Sequence, residues 1–140
     1  MAGKEGGMKK AWLPLVSIPL IGLCAMVGEK IATAKDSAAQ VGTISWYGKG
    51  FHGRRTANGE RYNMNEMTCA SRNLPFGTLL EITNLDNGQT AVVRVNDRGP
   101  FVRSRILDVS FGAAKELGFL HRGYVRAELR VLPENWQALR

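Results

Sequence analysis

The sequence predicts an all-β fold, a small closed barrel of five or six short strands with one short helix. Sixteen glycines and five prolines among 140 residues indicate many turns, which favours a β-rich fold over a helical bundle. From residue 41 onward, short stretches with apolar side chains at alternate positions recur between turn signals. Closure into a barrel is favoured because it leaves no strand edge exposed. The length allows one domain, and 44% hydrophobic residues are typical of a globular chain.

The first 34 residues have the features of an export signal. Lysines at the start are followed by an apolar run over 11–28 and then by Ala32-Thr33-Ala34, which fits the pattern cut by signal peptidases. Pro14 and Pro19 interrupt the apolar run, so a membrane-spanning helix is less well supported. We therefore expect a signal peptide over 1–34 and a protein of the periplasm or cell envelope. An uncleaved membrane anchor remains the alternative.

The two cysteines indicate neither a disulfide framework nor a metal site. Cys24 follows Leu23, which makes a poor lipobox and argues against a lipid anchor. Cleavage after Ala34 leaves Cys69 alone, and we expect it to be a buried apolar side chain. No cysteine or histidine pair has metal-ligand spacing, so no metal and no cofactor are expected.

The mature chain alternates short strands with turns after a polar linker over 35–40. A turn signal at 86–88 joins two apolar-alternating stretches, which predicts a hairpin. Ser110 is placed to cap a short helix that ends at Leu117, with Gly118 closing it. Residues 133–140 are expected to form a C-terminal tail. The predicted strands are 42–47, 78–84, 89–96, 105–109 and 125–131, with one helical turn at 64–67.

The net charge of +7 suits an anionic partner. Anionic wall polymer, acidic lipid and nucleic acid all fit that charge. The basic residues are scattered, and no dense run of them follows Lys10, which argues against nucleic acid.

Six short motifs follow one another in the order and spacing of one known family. Over 41–132 the chain resembles the rare lipoprotein A family of lytic transglycosylases, and this resemblance implies a six-stranded double-psi β-barrel domain. The resemblance also implies an activity. The chain would cut peptidoglycan between N-acetylmuramic acid (MurNAc) and N-acetylglucosamine (GlcNAc) without water and leave 1,6-anhydroMurNAc ends. The motifs are 45–48 (SWYG), 51–60 (FHGRRTANGE), 74–78 (LPFGT), 83–88 (TNLDNG), 95–101 (VNDRGPF) and 106–110 (ILDVS).

The resemblance places the chemistry on two carboxylates. Glu60 and Asp97 match the two acidic residues implicated in the family. A carboxyl group can protonate the leaving oxygen and then accept a proton from the C6 hydroxyl of the sugar. Competing interpretations are that Asp97 holds its own turn through backbone hydrogen bonds and that Glu60 is a solvated loop residue. Asp108 has no loop context and is predicted to be structural.

Further side chains are expected to contact substrate. Tyr47 is an aromatic candidate for the groove, whereas its neighbour Trp46 is predicted to be core. His52 belongs to a family loop, and Arg98 offers a planar donor for acidic groups.

Ser71 departs from the family pattern. Many members have a histidine at this position, and a serine cannot titrate near neutral pH as histidine does. Ser71 is therefore predicted to contact substrate without titrating.

Three functions remain open: an endolytic transglycosylase, a peptidoglycan-binding barrel without turnover, and a wall-associated scaffold. We expect the protein to bind glycan strands of peptidoglycan and not nucleic acid. We also expect it to be a monomer that contacts the membrane only if its N-terminal segment is not cleaved.

Overall fold

A six-stranded closed barrel with one helix forms from the residues that the structure describes. The structure is a computed structural model and describes residues 38–140, so the predicted signal peptide and most of the predicted linker lie outside the described residues. The predicted all-β barrel with a single short helix is confirmed. The elements are β1 (Gln40–Tyr47), β2 (Thr68–Ala70), β3 (Leu79–Asn84), β4 (Thr90–Asp97), β5 (Leu107–Ser110), α1 (Phe111–Leu117) and β6 (Tyr124–Val131).

The strands close in the order β1-β5-β2-β4-β3-β6, with β6 pairing back to β1. The pairs β1–β5 and β2–β4 are parallel, and the other four are antiparallel. The predicted hairpin is β3–β4, in which Ile82 pairs with Ala91. Its turn is held by side chains, since Asn84 Oδ1 accepts the backbone N–H of Asp86. Crossing connections therefore bring residues distant in sequence to neighbouring strands.

The core is filled by the inward-facing residues of the strands and by one face of α1. The helix begins and ends as predicted, because Ser110 Oγ accepts the N–H of Ala113 and Gly118 adopts a left-handed conformation with φ 76°. Burying these side chains removes apolar surface from water, which stabilises the barrel by about 1.5–3 kcal/mol for each large residue. The fully buried apolar residues include Ile44, Leu80, Ile82, Val93, Val95, Leu107, Val109, Leu117 and Phe119.

Four details differ from the sequence-based expectation. Residues 64–67 form a turn and bend rather than a helical turn, because Asn63 Oδ1 and its carbonyl accept the N–H groups of Asn65 and Glu66. Strand β2, which is not among the predicted strands, pairs with β4 and β5. The C-terminal tail contains a 3-10 turn at Trp136–Leu139. Gln40, assigned to the linker, pairs with Leu129 as the first residue of β1.

Within residues 38–140, no helix combines the length and the apolar character that crossing a bilayer requires.

Candidate functional site

A bulge near the end of β4 turns Asp97 towards the outside of the barrel. Along β4, Val93 and Val95 point into the core at alternate positions, so an unbroken strand would bury residue 97 as well. The pairing with β2 shifts at this point: Cys69 pairs with Val95, whereas Ala70 pairs with Asp97. The extra residue, Asn96, is buried, and Asp97 becomes partly exposed. One inserted residue thus reverses the direction of the side chain that follows it.

Asp97 lies in a cleft on the outer face of the barrel. The cleft has a volume of about 310 Å³, and the loop over 98–102 forms one of its walls. Ala70 forms its floor, because it pairs with Asp97 on one side and with Asp108 on the other. The side chains of Phe101 and Val102 are 88% and 47% exposed at the rim. The lining residues are Tyr47, Phe51, Ala70, Asp97, Arg98, Gly99, Pro100, Phe101, Val102, Arg105 and Asp108.

One oxygen of Asp97 is held by the backbone. Asp97 Oδ1 accepts the N–H of Ala57 at 2.9 Å and the N–H of Arg98 at 2.8 Å. Within the part of the chain that the structure describes, no protein group donates a hydrogen bond to Oδ2. The carboxylate is therefore fixed through one oxygen and free to meet a ligand through the other.

Glu60 has a different environment from Asp97. Arg94 donates to both of its oxygens, with Nη1 2.7 Å from Oε1 and Nη2 2.9 Å from Oε2. Asn58 Nδ2 and Asn96 Nδ2 donate the remaining bonds, at 2.9 and 3.2 Å. The hydrogen bonds from Arg94 are the main cause that lowers the pKa of Glu60 to about 2, and those from Asn58 and Asn96 add to it. Glu60 is not among the residues that line the cleft.

The Glu60 network ties the 56–60 loop to β4. Thr56 and Glu60 close this loop with a backbone bond of 2.7 Å, and Arg94 and Asn96 belong to β4. Because Ala57 lies inside the same loop, the network sets where its N–H meets Asp97. Glu60 thus affects the position of Asp97 through the loop and does not contact it with its own carboxylate.

Ser71 and His52 lie outside the cleft lining. The Ser71 side chain is 2% exposed, and its Oγ accepts the N–H of Leu74 at 3.2 Å. His52 is exposed and its Nδ1 accepts the N–H of Met64 at 3.1 Å, which holds a loop. The structure gives both side chains local structural partners instead of an opening towards Asp97.

Tyr47 and Arg98 do line the cleft. Burial raises the pKa of the Tyr47 phenol well above its ordinary range, so this group stays protonated. The Arg98 guanidinium donates to the carbonyls of Ser71 and Leu74 and lies 3.8 Å from the centre of the Phe76 ring. Arg98 therefore has two parts. Its side chain supports the wall of the cleft, and its backbone N–H holds Asp97.

Trp46, predicted to be core, packs against the core cluster and edge-on against Phe111. Cys69 is fully buried as expected, and burial raises its pKa above the ordinary value of a thiol. Among residues 38–140, no three metal-ligating side chains come together.

Sequence reasoning missed Asp108 as a cleft residue. It accepts hydrogen bonds from Ser45 Oγ and, at 3.1 Å, from Arg105 Nε. The signal was present, because Leu107 and Val109 are apolar and buried on either side of it in β5. That alternation directs the intervening carboxylate outwards. What the sequence did not show is that β5 lies two strands from β4.

A family model described as lytic transglycolase matches residues 39–129. The chain belongs to this family. This confirms the resemblance found in the sequence motifs. The curated relatives of this lytic transglycolase domain include proteins named as endolytic peptidoglycan transglycosylases.

Two relatives that carry the name RlpA illustrate the similarity. The probable endolytic peptidoglycan transglycosylase RlpA of Synechocystis is 49% identical over 119 residues, which are 85% of this chain and 37% of the relative. RlpA of Pseudomonas aeruginosa is 50% identical over 101 residues, 71% of this chain and 30% of its own length. The chain thus spans about a third of the length of the curated relatives it matches.

Solved structures with low identity share the fold. The Streptomyces papain inhibitor has a TM-score of 0.56 at 22% identity, covering 68% of this chain and 94% of that one. The expansin of Clavibacter michiganensis has a TM-score of 0.57 at 19% identity, covering 69% and 51%. At these identities the likeness concerns the barrel alone.

Proposed function

We propose that this chain is an endolytic peptidoglycan lytic transglycosylase that cleaves the MurNAc–GlcNAc bond and leaves 1,6-anhydroMurNAc ends. The single observation that carries the proposal is the Asp97 carboxylate, which has one oxygen held by two N–H groups and the other free in a cleft. Membership of the lytic transglycolase family supports the same reaction.

Asp97 serves as the acid and then as the base. Protonated Asp97 donates its proton to the glycosidic oxygen, the bond from that oxygen to C1 of MurNAc breaks, and positive charge develops at C1. The resulting carboxylate accepts the proton of the MurNAc C6 hydroxyl while that oxygen bonds to C1. Asp97 regains its proton, and no water is consumed. The two N–H groups on Oδ1 keep the carboxyl group in one orientation through both steps.

Glu60 acts as a positioning residue in this scheme. The Arg94 contact holds its pKa near 2, so it carries no proton to donate at neutral pH. Its part is to hold the 56–60 loop so that Ala57 can donate to Asp97.

The apolar rim suits the faces of sugar rings. Phe51 is 51% exposed and Phe101 is 88% exposed, and both line the cleft beside Tyr47. Aromatic faces pack on the C–H groups of sugars, and the cost of exposing such rings to water favours that contact.

The proposal is tested by digesting purified peptidoglycan and identifying the products by mass spectrometry. We expect anhydroMurNAc ends from the native chain and none from Asp97→Asn. Asp86→Asn is the matched control. Asp86 lies in the β3–β4 turn, outside the cleft, and its exposed carboxylate pairs with Arg122. Cleavage by Asp97→Asn at the native rate would remove Asp97 from the mechanism.

A peptidoglycan-binding barrel without turnover is the second candidate. The observation that favours it is Ser71, which stands where the sequence resemblance implies a histidine and whose hydroxyl accepts the Leu74 N–H. Ser71→His should raise the cleavage rate if the missing imidazole limits the reaction. Binding to sacculi without any cleavage by either form would favour the binding barrel.

We also propose export to the periplasm or cell envelope through residues 1–34, and a double-psi topology for the barrel. The lysines, apolar run and Ala32-Thr33-Ala34 support the first, and the two parallel strand pairs support the second. N-terminal sequencing of the envelope protein should begin at Lys35. A start at the initiating methionine would favour the membrane anchor.

A further inference from the structure

A second cavity lies beside the Asp97 cleft on the outer face of the barrel. It has a volume of about 420 Å³, within the range of small-molecule sites. Its lining residues are Thr43, Ser45, Ser104, Arg105, Gly123 and Tyr124.

The two cavities lie along one row of paired residues. Asp97 pairs with Ala70, Ala70 with Asp108, Asp108 with Ser45, and Ser45 with Tyr124. Residues paired across neighbouring strands share a face of the sheet. Four strand spacings of about 4.8 Å place Tyr124 about 19 Å from Asp97 along the surface. A ligand that reaches both cavities is therefore an extended one, such as a strand of several linked sugar rings.

An ion pair forms the wall between the cavities. Arg105 lines both, and it pairs with Asp108 at 3.1 Å. Ser45, which lines the second cavity, donates its hydroxyl to Asp108, which lines the first. The guanidinium and the carboxylate neutralise each other, so the wall offers hydrogen-bonding groups without a large net charge.

Tyr124 gives the second cavity an aromatic surface. Its side chain is 62% exposed at the start of β6. Within residues 38–140, no other aromatic ring packs against it. A large exposed ring beside three hydroxyl-bearing side chains is a typical surface for binding an uncharged sugar.

We propose that the cavity at Tyr124 is a distal subsite that binds sugar rings of the same glycan strand whose scissile bond lies at Asp97. This inference rests on the proposed function and extends it to the length of glycan that the barrel holds. A stem peptide is the less suitable occupant, because its carboxylates would meet an arginine already paired with Asp108.

The experiment measures binding of two defined glycans to the full-length Asp97→Asn chain by calorimetry. The probes are a tetrasaccharide and an octasaccharide of alternating GlcNAc and MurNAc without stem peptides. Each is titrated into the Asp97→Asn chain and into the same chain carrying Tyr124→Ala, Tyr124→Phe or Leu85→Ala. Leu85 is the matched control, because it is a large apolar side chain, 47% exposed, in neither cavity. Thermal unfolding of each variant checks that the barrel remains folded.

We expect the octasaccharide to bind about fivefold more tightly than the tetrasaccharide, which is the size of one aromatic contact. Tyr124→Ala should bring the ratio of the two affinities close to one, while Tyr124→Phe and Leu85→Ala should keep it. Equal affinities in the parent, or a ratio that survives Tyr124→Ala, would overturn the distal subsite while leaving the proposed function in place. Failure of both glycans to bind would overturn the distal subsite and count against the proposed function as well.

Discussion

At the scale of single residues, the two carboxylates assigned to the chemistry have opposite surroundings. Asp97 accepts two backbone N–H groups on one oxygen and keeps the other for a ligand. Glu60 receives hydrogen bonds from three side chains on both of its oxygens. A carboxylate whose lone pairs are all engaged is a poor proton carrier, because protonation would break the bonds that hold it. These surroundings support the proposal that Asp97 reacts and that Glu60 orients it.

Glu60 should make the free energy of unfolding depend on pH in acidic solution. Its pKa falls from an ordinary 4.5 to about 2 in the folded chain, so its contribution to stability is present above about pH 4.5 and is lost as pH falls towards 2. The side chain is 39% exposed, so solvent limits the contribution to about 1 kcal/mol or less. Urea unfolding at several pH values measures the free energy of unfolding. The native chain should be more stable than Glu60→Gln above about pH 4.5, and the difference should disappear as pH falls to about 2. A difference that does not change with pH would contradict the Arg94 contact.

At the scale of elements, the loop over 100–105 depends on one arginine. Arg72 Nη1 donates to the carbonyls of Pro100, Val102 and Arg105, at 3.0, 3.2 and 2.9 Å. That loop carries the cleft residues Phe101 and Val102, so Arg72 fixes a wall that it does not itself line.

Arg72→Met should loosen this wall. We expect a raised KM for glycan, a smaller change in kcat, and a loss of about 1–2 kcal/mol in the free energy of unfolding because charge-assisted bonds are removed. Arg130→Met is the matched control, since Arg130 is exposed on β6 and, within residues 38–140, its side chain pairs only with the nearby Glu128. An unchanged KM in Arg72→Met, measured by steady-state release of soluble fragments, would show that the loop holds its shape without the arginine.

Local signals predicted some elements and could not predict others. The β3–β4 hairpin and helix α1 carry their turn and cap residues within a few positions, so the sequence alone identified them. Strand β2 is three residues long and buried throughout, so it shows no alternation to detect. The bulge at Asn96 depends on pairing between strands distant in sequence, and so does the approach of Asp108 to Asp97. The sequence therefore identified the cleft residues Asp97, Tyr47 and Arg98. It could not show the strand geometry that adds Asp108 to the cleft and leaves Glu60, Ser71 and His52 outside it.

At the scale of the whole molecule, closure of the barrel creates the site. Strand β2 lies between β4 and β5, so three segments distant in sequence supply Asp97, Ala70 and Asp108 side by side. The core beneath them is rigidly packed, which keeps the row of outward side chains in register.

Cleavage after Ala34 leaves 15 basic and 10 acidic residues, and this net charge of +5 should help the exported protein reach an anionic wall polymer. Attraction between exposed charges is screened over about 8 Å at physiological ionic strength and over about 3 Å at 1 M salt. We expect co-sedimentation of the chain with purified sacculi to weaken as salt rises over that range. Binding that does not depend on salt would assign the affinity to the cleft contacts alone.

Digestion of purified peptidoglycan in water enriched in oxygen-18 distinguishes a lytic reaction from hydrolysis. A reaction in which the C6 hydroxyl attacks C1 uses no water, so we expect anhydroMurNAc ends that carry no label. Reducing MurNAc ends that carry the label would show that the barrel hydrolyses glycan, and the assignment of Asp97 as acid and base of a lytic reaction would be wrong.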